Sequence, residues 1–148
     1  MINKRKTRDQ LKLGVVILFS WLYIPHLLLY ICKSGFRQYI NADLDRLKEK
    51  TDLRMGYGMM LLYYLQTDRY FRTLFYHRIG PIVSILIGWW RPGDRYFVIS
   101  KTTQIGEGAY FAHPFASEIN AKSIGKIFHV DILLLLVIKW MEIMTIVR

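Results

Sequence analysis

Between Ile99 and Val130 the chain carries apolar residues on a six-residue rhythm. They fall at Ile99, Ile105 and Phe111, and after a slip of one residue the spacing returns at Ile124 and Val130. The dipeptide Ile-Gly recurs within it at Ile105-Gly106 and Ile124-Gly125. An α-helix repeats every 3.6 residues and a strand every two. A fixed short period of six calls instead for stacked β coils, in which each repeat is one short strand and a turn. Gly106, Gly108 and Gly125 are the expected corner residues, because glycine accepts left-handed backbone angles without penalty. A phosphate-cradling role for Ile105-Gly106-Glu107-Gly108 is the weaker reading, since no Lys-Ser/Thr and no strand-loop-helix context accompanies it.

Upstream of residue 95 the periodicity is helical. Asn41 to Lys50 reads as a solvated helix with Asp43 near its start, basic residues near its end, and Leu44 and Leu47 on its inner edge. Met59 to Ile79 carries Leu61, Leu62, Leu65, Phe71, Leu74 and Phe75 at mixed three and four spacing, which gives one or two amphipathic helices. Tyr63, Tyr64, Tyr70 and Tyr76 are read as packing residues with a hydrated hydroxyl. Gly80-Pro81 breaks that pattern and Pro81 opens a further apolar helix, which runs to Trp89 and Trp90. Arg91-Pro92-Gly93-Asp94 is then a turn. The expected class is α+β: an α-helical module over residues 1–94, the start of a coil over 95–130, and a hydrophobic tail over 131–148.

Charge narrows the choice of partner. The 148-residue chain is 53% hydrophobic and 15% aromatic, yet carries a formal net charge of +10. Lys4, Arg5, Lys6, Arg8 and Lys12 lie directly before Leu13–Cys32, twenty positions without Asp, Glu, Lys or Arg. That run is long enough to cross a bilayer, although Pro25 and His26 interrupt it. It is read as an apolar helix that either spans or packs, with residues 1–32 in contact with a membrane surface. No small-x-small cleavage site follows it. No helix-turn-helix, zinc-finger spacing or aromatic RNA-binding signature is present, so no nucleic acid partner is expected. Cys32 is the only cysteine, which fits a reducing, cytoplasmic compartment. His26 and His77 have no Cys or carboxylate spacing that makes a ligand set, and no metal site is expected.

A helical module followed by Ile-Gly-x-Gly hexads resembles the serine O-acetyltransferase branch of the hexapeptide-repeat acyltransferases, over about residues 70–130. The resemblance implies a left-handed parallel β-helix, three hexads to a coil, assembled as a homotrimer. It implies acetyl-CoA as cosubstrate and a small hydroxyl acceptor, L-serine or alternatively a sugar. The residue two places into the hexad after Ile105-Gly106-Glu107-Gly108 is His113, which the resemblance makes the general base. An imidazole suits that work because its ordinary pKa lies near neutrality. Lys101 and Lys122 are candidate contacts to the cosubstrate's phosphates. His129 reads as a solvent-facing strand residue.

Two departures from the family follow. The aspartate that orients the histidine just before the first hexad is replaced by Val98, so Glu107 or Glu118 would have to substitute. Beyond Asp131 the chain has no hexad glycine and no turn residue, and only five hexads are marked by the apolar spacing. A frameshift near residue 130 is the expected cause. Trp140, Met141 and Met144 have single codons, and the frame that borrows the last nucleotide of each preceding codon reads Asp-Gly-(Asn or Asp)-x-Asp there. Expected activity is therefore weak or absent, and the competing reading is a non-enzymatic, membrane-associated remnant.

Overall fold

A computed structural model describes residues 2–49, 55–114 and 116–131. Side chains are described within 11–49, 55–114 and 116–129. The hydrophobic tail, and with it the consequence of a frameshift, lies outside the described residues from 132 onward.

Six helices precede the strands: α1 (Ile2–Phe19), α2 (Ile24–Cys32), α3 (Ser34–Lys48), α4 (Tyr57–Thr67), α5 (Arg69–Ile79) and α6 (Pro81–Gly88). Leu11–Cys32 is long and apolar enough by composition to cross a membrane, with a mean hydropathy of 2.1. It is not one straight helix. A 3-10 turn at Ser20–Tyr23 separates α1 from α2, and Pro25 sits in the first turn of α2, where its missing N–H costs nothing. Asp68 caps α5, its Oδ1 accepting from the N–H groups of Tyr70 at 2.8 Å and Phe71 at 3.0 Å. Gly80, at φ +89°, ends that helix and Pro81 starts the next.

The helical core gathers Tyr23, Ile40, Leu44, Leu61, Leu65 and Phe75, all fully buried. Leu74, one residue from Phe75, turns the other way and joins Phe97, Ile105 and Phe111 in a second cluster. Helix α5 is thus the wall shared by both modules.

Among the described residues six strands follow: β1 (Phe97–Ile99), β2 (Gln104–Ile105), β3 (Tyr110–Ala112), β4 (Ser117–Ile119), β5 (Ser123–Ile124) and β6 (His129–Asp131). Each pairs in parallel with the strand three places on, Ile99 opposite Ile119, Ile105 opposite Ile124 and Phe111 opposite Val130. A chain that returns to the same ladder every third strand is winding round a three-sided coil. The expectation of five hexads is corrected here, because β4 makes a sixth strand. The connection from His113 to Ala116 shifts Ile119 off the six-residue spacing, so the apolar pattern did not mark it.

The corners show why glycine is needed at some places and not at others. A Cβ on Gly106 would lie 2.8 Å from the carbonyl carbon and oxygen of Gly125, so the two turns of chain touch there. Gly108 has φ +75°, as expected of a left-handed corner. Gly125 meets neither condition, having open space around its α-carbon and no positive φ. Gly125 lies in the connection between β5 and β6, as a turn residue, with no neighbour among the described residues that a Cβ would meet. On the turn stacked over Gly108, Ile127 holds φ +56° despite its branched side chain.

Candidate active site

His113 lies in the corner between β3 and β4, exposed, with φ +60°. Ala116, at φ +52°, completes that corner. A non-glycine residue held in the left-handed region costs of order 1 kcal/mol or more, and such residues concentrate where a side chain must be aimed. Here the aim is into an open groove of about 410 Å³ between the coil and the junction of α4 and α5. Tyr63, Tyr64 and Tyr70 form its aromatic wall, and Lys12 and Arg69 supply positive charge.

The carboxylate that shares this groove is Asp68. Burial pushes its carboxyl above the ordinary carboxylate range, while the N–H groups of Phe71 and Tyr70, then Arg72 and His113, pull it down. Both N-cap hydrogen bonds fall on Oδ1. No hydrogen bond to Oδ2 is seen among the described residues.

Neither glutamate expected to replace the missing aspartate stands in this groove. Glu107 is engaged elsewhere, paired with Lys126 and accepting from Gln38 Nε2 at 3.3 Å. Glu118 sits on β4 directly opposite Val98 on β1. Sequence reasoning missed Asp68 because it lies 45 positions before His113. Its one local signal, an acidic residue directly ahead of an amphipathic run, announces a helix cap and nothing more.

Lys101 and Lys122 occupy a different corner. Lys101 lies between β1 and β2, and Lys122 between β4 and β5. The β1–β4 and β2–β5 ladders therefore stack the two connections. Lys101 borders a separate groove with Phe36, Tyr39 and His77, which shares no lining residue with the groove at His113. Within the His113 groove the cations are Lys12 and Arg69, the latter also paired with Asp94 at 3.2 Å.

The other histidines lie outside this groove. His77 Nε2 meets the Thr103 carbonyl oxygen at 2.9 Å, joining α5 to the coil, and burial lowers its pKa. His26 is fully buried, with Nε2 3.1 Å from Tyr76 Oη. Tyr76 spends its single proton on the Arg91 carbonyl oxygen, so His26 must donate through Nε2. Its Nδ1 then has no partner. The His129 ring lies tilted against that of Tyr110, with centroids 5.1 Å apart. Among the described residues no three His, Cys, Asp or Glu side chains group as a metal site.

Comparison with known proteins found no matching family model, no matching curated protein and no matching solved structure. The functional reading therefore rests on the residues and their geometry.

Proposed function

We propose that this chain is an O-acetyltransferase of the hexapeptide-repeat kind, moving acetyl from acetyl-CoA to a hydroxyl acceptor. L-Serine is the first acceptor to test and a sugar hydroxyl the second. The observation that carries the reading is the position of His113, at a corner of a three-sided coil, in one groove with the Asp68 carboxylate. In this reading the coil is left-handed and the protein works as a homotrimer in the cytoplasm, with acetyl-CoA entering between subunits.

Neutral His113 accepts the proton of the acceptor hydroxyl as that oxygen bonds to the thioester carbonyl carbon. The tetrahedral intermediate collapses, the carbon–sulfur bond breaks, and His113 returns its proton to the departing thiolate. The products are the O-acetyl ester and free coenzyme A. Asp68 serves as a positioning residue, favouring one orientation of the ring and stabilising the imidazolium formed midway. The tyrosine wall excludes water from one side, and Lys12 and Arg69 offer charge to the anionic cosubstrate.

The test is release of coenzyme A thiol from acetyl-CoA by the full chain, with L-serine and with simple sugars offered separately. Thiol release that requires one acceptor supports transfer and names the acceptor class. Release at one rate regardless of acceptor means thioester hydrolysis, and none at all leaves a non-catalytic protein.

A further inference from the structure

Thirteen of the eighteen large apolar side chains exposed among the described residues lie in just two places, the Leu11–Ile31 segment and α6 with Trp89 directly after it. On α1, Leu11, Val15 and Leu18 follow one another at four and three residues, which puts them on one face. On α2, Ile24, Leu28 and Ile31 do the same. Helix α6 and its C-cap Trp89 present Ile82, Ile85, Leu86 and Trp89, each between 69% and 79% exposed, again on a single face. Such faces on a folded chain mark a surface that something else covers.

The two patches adjoin. Trp90, at the end of α6, places its ring 5.0 Å from that of Tyr23. It also closes an apolar groove of about 390 Å³ with Leu11, Val15 and Phe19 of α1. Lys12 and Arg91 stand at the same groove.

We infer that this face rests on an anionic membrane surface, with α6 as a second foot beside α1 and α2. Charge decides the occupant. The sequence has no Asp or Glu from Gln10 to Ala42, and none from Arg69 to Gly93, while both stretches carry lysine or arginine. Two copies brought face to face would set these cations against one another, whereas anionic headgroups neutralise them. A span is the wrong geometry for the same segment. The inner face of α1 and α2 is committed to the protein, with Val16, Tyr23, His26 and Tyr30 buried. Gln66 Nε2 donates to the Val16 carbonyl oxygen at 3.0 Å, and Tyr23 Oη to that of Leu65 at 3.4 Å. Lipid cannot surround a helix whose other side is the core of a polar module, so the helices lie along the interface. The inference is independent of acetyl transfer.

Flotation of the full chain with vesicles of phosphatidylcholine alone, and with about one third phosphatidylglycerol added, tests it. The expected result is binding to the anionic vesicles, release by alkaline carbonate, and at least a tenfold loss, roughly, when Ile85→Glu and Trp89→Glu are combined. Ile127→Glu, an equally exposed apolar position on the coil, should leave binding unchanged. Because all three positions are exposed, circular dichroism and melting should match wild type. No binding to anionic vesicles, or unchanged binding of the double variant, overturns the proposal. So does resistance to carbonate, which would mean a span. Self-association in the absence of lipid that the double variant abolishes would assign the face to a second copy instead.

Discussion

Asp43 on α3 and Arg78 on α5 form a bidentate ion pair at the edge of the helical module, Nε to Oδ2 at 2.7 Å and Nη2 to Oδ1 at 2.9 Å. The same guanidinium donates to the carbonyl oxygens of Ile105 at 3.0 Å and Gly106 at 2.7 Å. Asp43 in turn accepts the Ala109 N–H at 2.9 Å. One buried clasp thus joins α3, α5 and the β2–β3 corner. Both side chains are almost wholly buried, 6% exposed for Arg78 and 0% for Asp43. Burial pushes the Asp43 carboxyl up to about 6 against the pull of Arg78 and of two backbone N–H groups.

Breaking that clasp from one side leaves a buried charge without its partner. Asp43→Leu is expected to destabilise by about 3 to 5 kcal/mol in urea unfolding. The double variant Asp43→Leu with Arg78→Leu should recover a large part of that loss, because both desolvated charges go together. Additive losses in the cycle would mean the pair is not coupled.

Gly106 and Gly125 occupy equivalent places in the sequence rhythm and stack on each other in the coil, yet only Gly106 has backbone where a Cβ would point. Gly106→Ala forces a Cβ against the Gly125 backbone and should cost about 2 kcal/mol or more. Gly125→Ala enters open space and should stay within about 0.5 kcal/mol of wild type. Thermal melts of the two variants side by side check the stacking directly.

Burial, and then Arg72, lower the His26 pKa from its ordinary value near 6.5 to about 4. A group depressed in the folded state stabilises the fold above its unfolded pKa, and that stability is lost as pH falls through the folded one. Relative to His26→Phe, wild type should therefore lose about 3 kcal/mol between pH 7 and pH 4. Taking the difference between the two proteins removes the opposite contribution of Asp43, whose raised pKa makes the fold gain stability on acidification over the same interval. A difference that does not change with pH would contradict a neutral buried His26.

Much of this architecture was legible because two periodicities are local. The change from a helical period to a period of six near residue 95 matches the passage from α6 to β1 at Phe97. Gly80-Pro81 marked the end of α5 for stereochemical reasons that need no tertiary context. What escaped the sequence is non-local. Strand β4 was hidden by the longer corner at His113, the clasp joins residues 35 apart, and Asp68 reaches the groove only because α5 packs against the coil. A carboxylate can approach a histidine from any part of a fold, so searching the hexads alone led to Glu107 and Glu118.

Asp68 caps α5 and lines the groove that holds His113. Asparagine caps a helix as well as aspartate does, so Asp68→Asn should melt close to wild type. If the charge positions the base, kcat for acetyl transfer falls at least tenfold, roughly, with KM for the acceptor unchanged, and Asp68→Glu restores part of the rate. An unaltered kcat would reduce Asp68 to a cap.

The most direct measurement is transfer of labelled acetyl from acetyl-CoA to L-serine, and to sugars, by wild type and by His113→Ala. The side chain is exposed on a corner, so its removal should leave the fold intact. Acceptor-dependent transfer by wild type that drops at least a hundredfold, roughly, in His113→Ala is the predicted result. Equal transfer by the two proteins, or none by wild type, would contradict it.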